Sequence, residues 1–171
     1  MGKRKIVVLD YDDNWKEEFM QIKERLDEIL SDQIVSIEHV GSTSVIGLAA
    51  KPIIDIDIII HDKSYLKEVV NRLSKIGYIY EGELGIMDRY AFRYAGIEQM
   101  QWHNLYVCPE NSEELKRHLI FRNYLRNHPD AVSYYGKVKK EGAKLYPYDI
   151  DKYIEYKSAC VSELYKECGL L

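Results

Sequence analysis

The sequence predicts an α+β fold, a mixed β-sheet followed by a C-terminal helical portion, on three observations. Short β-branched and aromatic segments dominate up to about residue 110. Segments with apolar residues at helical spacing dominate after it, and no repeat, low-complexity tract or Pro/Gly-rich linker intervenes. With 171 residues and 46% hydrophobic content the chain can bury one substantial core but is short for two. A single domain over 1–171 is therefore expected, with a mixed-sheet core over 1–110 and helices over 111–171.

The elements follow in order. "KIVVL" (5–9) reads as a short strand. After the turn "DYDDN", Trp15, Phe19, Ile22, Leu26 and Ile29 recur at steps of four and three, one stripe of an amphipathic helix. "IVSIEHV" (34–40) is a second strand ending at Gly41, and "KPIIDIDIII" (51–60) a third, with Pro52 near its start where a missing N–H matters least. Ser64 is placed to cap a helix to about Ile76 that turns Leu66, Val69, Val70 and Leu73 inward. "YIYEGE" (78–83), "RYAFRYA" (89–95) and "MQWHNLYVC" (100–108) read as further strands. Ser112 precedes a helix that should stop before Pro129, because the residue ahead of proline disfavours helical geometry. Asp130 is the expected cap of a second helix ending near Tyr146. Asp149 is the expected cap of a third, with Ile150, Ile154, Val161 and Leu164 inward and Gly169 ending it.

Composition narrows the function classes. The formal charge of −4, with acids and bases well mixed, argues against a dedicated nucleic-acid surface and favours a small ligand or a protein as partner. Residues 113–157 carry ten Lys or Arg against seven Asp or Glu, a mild basic excess that suits a phosphate-bearing ligand or a solvated helix face. The start "MGKRKIVVLD" has too few apolar residues for a signal-peptide core or a membrane span, and Ile6 stands where a myristoylation signal needs Ser or Thr. Cys108, Cys160 and Cys168 are odd in number and lack metal-site spacing, so they read as small buried hydrophobes. A reducing, cytoplasmic setting is expected. The fifteen tyrosines read as amphipathic boundary residues rather than a base-stacking platform.

The stretch "HVGSTSVIGLAAKPIIDIDIII" (39–60) carries the chemistry. Side chains alternate along a strand, so Asp55 and Asp57 project to one face and Ile54, Ile56 and Ile58 to the other. Two carboxylates about 7 Å apart repel when half-buried, so a positive group belongs between them. A hard cation such as Mg2+ suits, because it takes oxygen ligands and binds through one or two carboxylates plus substrate phosphates. Gly41 permits a tight turn and close backbone approach, and Ser42 adds a hydroxyl beside exposed N–H groups. Thr43 and Ser44 continue this turn as candidate ligand contacts. If "STSVIGLAA" is helical, its N-terminus adds positive potential toward the same anion.

Other polar residues have two readings each. His39 reaches phosphate or braces the turn; Lys51 neutralises phosphate or pairs with Asp55; Arg89 and Arg93 share a strand face as bidentate phosphate donors or lie on an exposed edge. Arg122, Tyr124 and Arg126 sit on one helix, lining an acceptor or solvated, and Lys157 points from the last helix toward the cleft.

Gly41-Ser42, followed at this distance by Asp55 and Asp57 on a strand, resembles the signature of the nucleotidyltransferase superfamily, the polymerase-beta-like fold. More narrowly, "EHVGSTSVIGLAAKPIIDIDI" is similar to the hallmark of the GrpB family, as are "HNLYV", "HLIFRNYLRNHP" and "YDDNWKEEF". The resemblance spans nearly the whole chain. Ile46 departs from the family's usual proline and Asn123 from its usual aspartate. The resemblance implies a nucleotidyltransferase-like mixed sheet flanked by helices. It implies a nucleoside triphosphate with its β and γ phosphates on the turn and one or two Mg2+ on Asp55 and Asp57. An acceptor, a small molecule or a protein, would attack the α-phosphorus. Superfamily catalysts commonly carry a third carboxylate on a later neighbouring strand; here the stretch offers Glu98, or His103 as a base or substrate contact, and His103 equally reads as a hydrogen-bonded strand histidine. Without a third acid the rival reading is a weak or inactive nucleotide-binding or regulatory module. Some GrpB domains are joined to a dephospho-coenzyme A kinase, which implies a link to coenzyme A metabolism by analogy. In a third reading the protein is structural and its aspartates are merely solvated.

Overall fold

The computed structural model describes residues 2–171. Helix α1 (Asn14–Leu30) leads to strand β1 (Ser36–Val40), then β2 (Ile54–Ile60), helix α2 (Leu66–Lys75), and strands β3 (Tyr78–Gly82), β4 (Tyr90–Tyr94) and β5 (His103–Pro109). Helices α3 (Glu113–Arg126), α4 (Pro129–Leu145) and α5 (Ile150–Glu167) close the chain. The strands form one mixed sheet in the order β1-β2-β5-β4-β3, in which β2 and β5 are parallel and the other neighbours antiparallel. This is the expected α+β architecture with a helical C-terminal portion.

The isoleucine alternation decides which face is which. Ile54, Ile56, Ile58 and Ile60 of β2, with Leu105 and Val107 of β5, pack against Trp15, Phe19, Ile22, Leu26 and Leu30 of α1 and Val69 and Leu73 of α2. The opposite face is covered on the β1, β2 and β5 side by α3, where Ile59, Cys108 and Leu115 meet. A further cluster joins Val45 and Leu48, just after the Gly41-Ser42 turn, to Leu125 of α3, Val132 and Tyr135 of α4, and Cys160 and Leu164 of α5. The helical tail is therefore seated on the turn itself.

Several local expectations are corrected. Residues 5–9 form no sheet strand: Leu9 makes one isolated bridge to Ala50, and the Ile6 N–H donates to the Pro147 carbonyl, so the α4–α5 connection pins the segment. Asp62, not Ser64, supplies the cap before α2, its carboxylate accepting from the Ser64 N–H at 2.8 Å. Helix α4 starts at Pro129, with Asp130 inside its first turn, because proline at the first helical position sacrifices only an N–H that has no helical partner. In α5, Ile150 and Ile154 are 45% and 50% exposed, while Tyr153, Cys160 and Leu164 are buried. The stripe 153, 160 and 164 wins because the large ring of Tyr153 fills the inward position. Ser112 and Asp149 cap α3 and α5 as expected, accepting from the Leu115 and Lys152 N–H groups. Cys108 and Cys160 are buried and Cys168 half-buried, all three as free thiols. No helix among the described residues is long and apolar enough to cross a membrane.

Truncating the wholly buried Ile56 to Ala should lower unfolding free energy in urea by about 2–5 kcal/mol, whereas Ile46→Ala, at an exposed position, should stay within about 0.5 kcal/mol. Equal losses at the two positions would contradict the placement of β2 in the core.

Candidate functional site

Asp57 is wholly buried between Glu38 of β1 and Tyr106 of β5, its register partners. Its Oδ2 lies 2.6 Å from Nδ1 of His118, on α3, whose Nε2 is 3.2 Å from Glu114. Burial of His118 opposes its charge, but the hydrogen bond and charge of Asp57, with Glu114 and Asp55 beyond, outweigh it and raise its pKa. The other oxygen, Oδ1, is buried without a hydrogen-bond partner. A buried anionic oxygen left open in this way fits a cation ligand.

Asp55 is half-buried opposite Val40 and Asn104. Desolvation pushes its carboxyl up to about 6 against the pull of the Asn104 hydrogen bond, and the Asp57 charge adds to the rise. The Asn104 side-chain amide donates to Asp55 Oδ1 at 2.9 Å, and Oδ2 lies against the glycine turn. Gly41 has φ +72°, and a Cβ built on it would come within 2.3 Å of Asp55 Oδ2. Glycine is required there twice over, by backbone conformation and by the carboxylate it must admit.

The turn continues as a single 3-10 turn over Ser42–Ser44, not the longer helix its composition permits. It is held from several sides. Ser44 Oγ donates back to the Gly41 carbonyl at 2.5 Å; Thr43 Oγ1 is 2.9 Å from His39 Nε2; the Arg126 guanidinium donates to the Ser44 carbonyl at 2.9 and 3.1 Å. Arg122 donates to Glu38 and to the His39 carbonyl. His39 stacks on Phe19 at 4.6 Å, and burial, then the Arg126 and Arg122 charges, push its pKa down to about 4. A neutral ring bracing the turn is what these contacts describe.

Lys139 is buried on α4 and donates from Nζ to Ser42 Oγ at 2.8 Å. It closes a cavity of about 230 Å3 lined also by Lys51, Asp55, Asn104, Tyr153 and Lys157, so three lysines face one carboxylate. Burial, then the charges of Lys157 and Lys51, push Lys139 down to about 7, and burial pushes Lys157 down to about 8. A second cavity of about 170 Å3, bounded by Gly41, Ser42, Asp55, His118 and Arg122, approaches the same carboxylate from the α3 side.

The structure thus brings together Gly41, Ser42, Thr43, Lys51, Asp55, Asp57, Arg122 and Lys157, with His39, Ser44 and Arg126 bracing the turn. Other predicted residues lie elsewhere. His103 faces the α1/α2 side, 2.7 Å from both the Tyr78 hydroxyl and the Gln101 carbonyl, and its pKa is lowered by burial. Glu98 pairs with Arg25. The Arg89 guanidinium stacks on Tyr106 at 4.5 Å, and the exposed Arg93 lies 3.7 Å from Glu81; both sit across β5 from the acids. Tyr124 bonds Glu167 at the surface. Among the described residues no group of three or more His, Cys, Asp and Glu is arranged to hold a metal ion. The β5 residue in register with Asp55 is Asn104, so this neighbouring strand offers an amide beside Asp55 and no third carboxylate. Asn104, His118, Glu114 and Lys139 were not foreseen. Alternation along "HNLYV" placed Asn104 on the acid face, and the spacing of Tyr135, Lys139 and Gly142 marked an inward lysine.

A family model described as "GrpB protein" matches residues 5–167. The chain belongs to the GrpB family. Among curated relatives, UPF0157 protein YqkA of Bacillus subtilis is 36% identical over 155 residues, 91% of this chain but only 45% of YqkA. Glutamate-rich protein GrpB of Alkalihalophilus pseudofirmus is 29% identical over 170 residues, 98% of each chain. The crystal structure of conserved protein GrpB from Enterococcus faecalis superposes with a TM-score of 0.82 at 37% identity, covering 95% of this chain and 96% of that one. The Cid1 poly(U) polymerase, solved in one case with MgGTP bound, matches at TM-score 0.56 and 13% identity, covering 80% of this GrpB chain and 44% of Cid1. At that identity the likeness establishes the nucleotidyltransferase fold alone.

Because the Asp57 contact raises the His118 pKa, its stabilising effect is full below the ordinary value of 6.5 and fades as pH rises through the folded value. The unfolding free-energy difference between wild type and His118→Ala should shrink as pH is raised above the ordinary histidine value of 6.5, and an NMR titration should find the His118 pKa lowered in Asp57→Asn. An unchanged His118 titration in that variant would rule out the pairing.

Proposed function

We propose that this GrpB-family chain binds a nucleoside triphosphate with Mg2+ and transfers its nucleotidyl group to a small-molecule or protein acceptor. The observation that carries this reading is the convergence of the two strand acids on the glycine turn. Asp55 lies against Gly41, Asp57 keeps one buried oxygen unpartnered, and the Ser42 hydroxyl opens on a cavity ringed by lysines.

Asp55 and Asp57 would hold the metal, which when bound neutralises phosphate charge and polarises the reacting phosphoryl group. The chain's own groups do the rest. Ser42 and Lys139 bind the terminal phosphates, Lys51 and Lys157 balance their charge, and the rigid turn fixes the tail so that the α-phosphorus lies beside Asp55. The acceptor oxygen forms a bond to that phosphorus, the bond to the bridging oxygen breaks, pyrophosphate leaves with the electron pair, and the acceptor proton passes to solvent. One observation favours a second reading: the amide of Asn104 stands where a third carboxylate would, so a second metal has no seat, and the site would bind nucleotide with little turnover.

Thermal unfolding with ATP, GTP, CTP and UTP, each with and without Mg2+, tests binding. At about 100 times Kd a bound nucleotide adds about 2.7 kcal/mol, and that stabilisation should need Mg2+ and vanish in Asp55→Asn. Stabilisation retained in the variant would remove the acids from the site, and pyrophosphate release in the same mixtures separates transfer from binding alone.

The lysines make binding pH-dependent. Anion binding favours their charged forms, whose pKa values stand at about 7 and about 8 in the free protein. Nucleotide affinity should fall as pH rises through those values, with proton uptake measurable by calorimetry in buffers of different ionisation enthalpy, and Lys139→Met should flatten the slope. Affinity independent of pH over this range would exclude Lys139 and Lys157 as phosphate ligands.

A further inference from the structure

The triphosphate reading leaves a larger groove unused. About 560 Å3 lies between the N-terminal segment and the start of α5, walled by Ile53, Trp102, Tyr148 and Ile150. It meets the lysine-lined cavity at Lys51 and Ile53, which border both. The groove and the Asp55 cavity are therefore neighbours.

Trp102 sits just before β5 and two residues before Asn104, so strand alternation carries it toward the face that bears Asn104 and Asp55. Its backbone is fixed: the Ile54 N–H donates to the Trp102 carbonyl at 3.0 Å, and the Gln101 amide donates to the Pro52 carbonyl at 2.9 Å. The side chain is nevertheless 47% exposed, a flat apolar surface on the wall of the groove. The Arg4 guanidinium lies 3.8 Å from the ring centroid. Stacked there, it keeps edge N–H groups for an anion. Lys3, Lys5 and Lys51 add positive charge around the rim, against Asp149 and Asp151. The Asp149 carboxylate is already engaged, accepting from the Lys152 N–H at 3.2 Å and lying 3.7 Å from Lys152 Nζ.

We propose that this groove is the acceptor subsite, and that it takes a small molecule with a planar ring and an anionic group. The ring packs on Trp102, and the anion meets Arg4 and Lys51. The groove has the size of a small-ligand site, and the pairing of one aromatic face with a cationic rim is the chemistry that reads such a molecule. The role as acceptor subsite rests on the nucleotidyltransferase reading; binding in the groove does not.

Of the two tryptophans, Trp15 is 2% exposed, so quenching by a soluble ligand reports Trp102. The full chain is titrated with AMP, adenosine and 4-hydroxybenzoate, with Mg2+ and inorganic tripolyphosphate present to fill the Ser42 cavity. Saturable quenching by AMP identifies a nucleotide as the source of the ring and anion, and by 4-hydroxybenzoate a simple aromatic acid. By calorimetry, Trp102→Ala and Arg4→Ala should each weaken the bound probe about tenfold or more while leaving the melting temperature unchanged. Adenosine binding as well as AMP, full affinity in Trp102→Ala, or no binding by either anionic probe would overturn the proposal. Stabilisation by Mg2+ and ATP, and its loss in Ser42→Ala, is measured alongside. If it is present and the groove stays empty, only the groove assignment fails. If it is absent while a probe still binds through Trp102 and Arg4, the nucleotidyltransferase reading fails and the acceptor role falls with it.

Discussion

A carboxylate with no access to water needs compensation inside the protein, and Asp57 places that demand in the middle of the sheet. His118 meets half of it with a 2.6 Å contact, and Glu114 holds the far side of the imidazole. Removing one partner of such a buried pair leaves an uncompensated charge. Helix α3 is therefore committed to the acid-bearing face, and the Ser112 cap fixes where that helix begins. The tail is thus tied to the sheet by a buried polar contact as well as by apolar packing.

The same helix stabilises the turn. Arg122 and Arg126, one turn apart, reach the His39 and Ser44 carbonyls on either side of Gly41-Ser42, while α4 contributes Lys139 to the serine hydroxyl. Val45 and Leu48 close the arrangement by packing into the tail's own apolar cluster. Acids thus come from the sheet and cations from the tail and from Lys51 just before β2, and the cavity is the seam where they meet. Burial there pushes Asp55 up to about 6 and Lys139 down to about 7, so in both groups desolvation disfavours the charged form.

The sheet order, the glycine turn and the paired strand acids accord with the nucleotidyltransferase fold of this GrpB chain. The neutral amide of Asn104, in register with Asp55, holds that carboxylate by hydrogen bonding.

Much of this was legible in the chain. A strict two-residue alternation through "IIDIDIII" separates core from site because strand side chains have no other choice, and glycine followed by serine marks a tight turn for equally local reasons. The α1 stripe and the Ser112 and Asp149 caps are local in the same sense. Tertiary structure alone decided which distant group met each polar side chain. His118 lies 61 residues from its aspartate and Lys139 lies 97 from its serine, separations over which no pattern in sequence operates. It also decided that His103 bonds Tyr78 on the far face, that Tyr153 displaces two isoleucines from the inward side of α5, and that residues 5–9 lie along the helical tail instead of joining the sheet. Periodicity assigns a side chain to a face, but only the packing of whole elements determines what that face will meet.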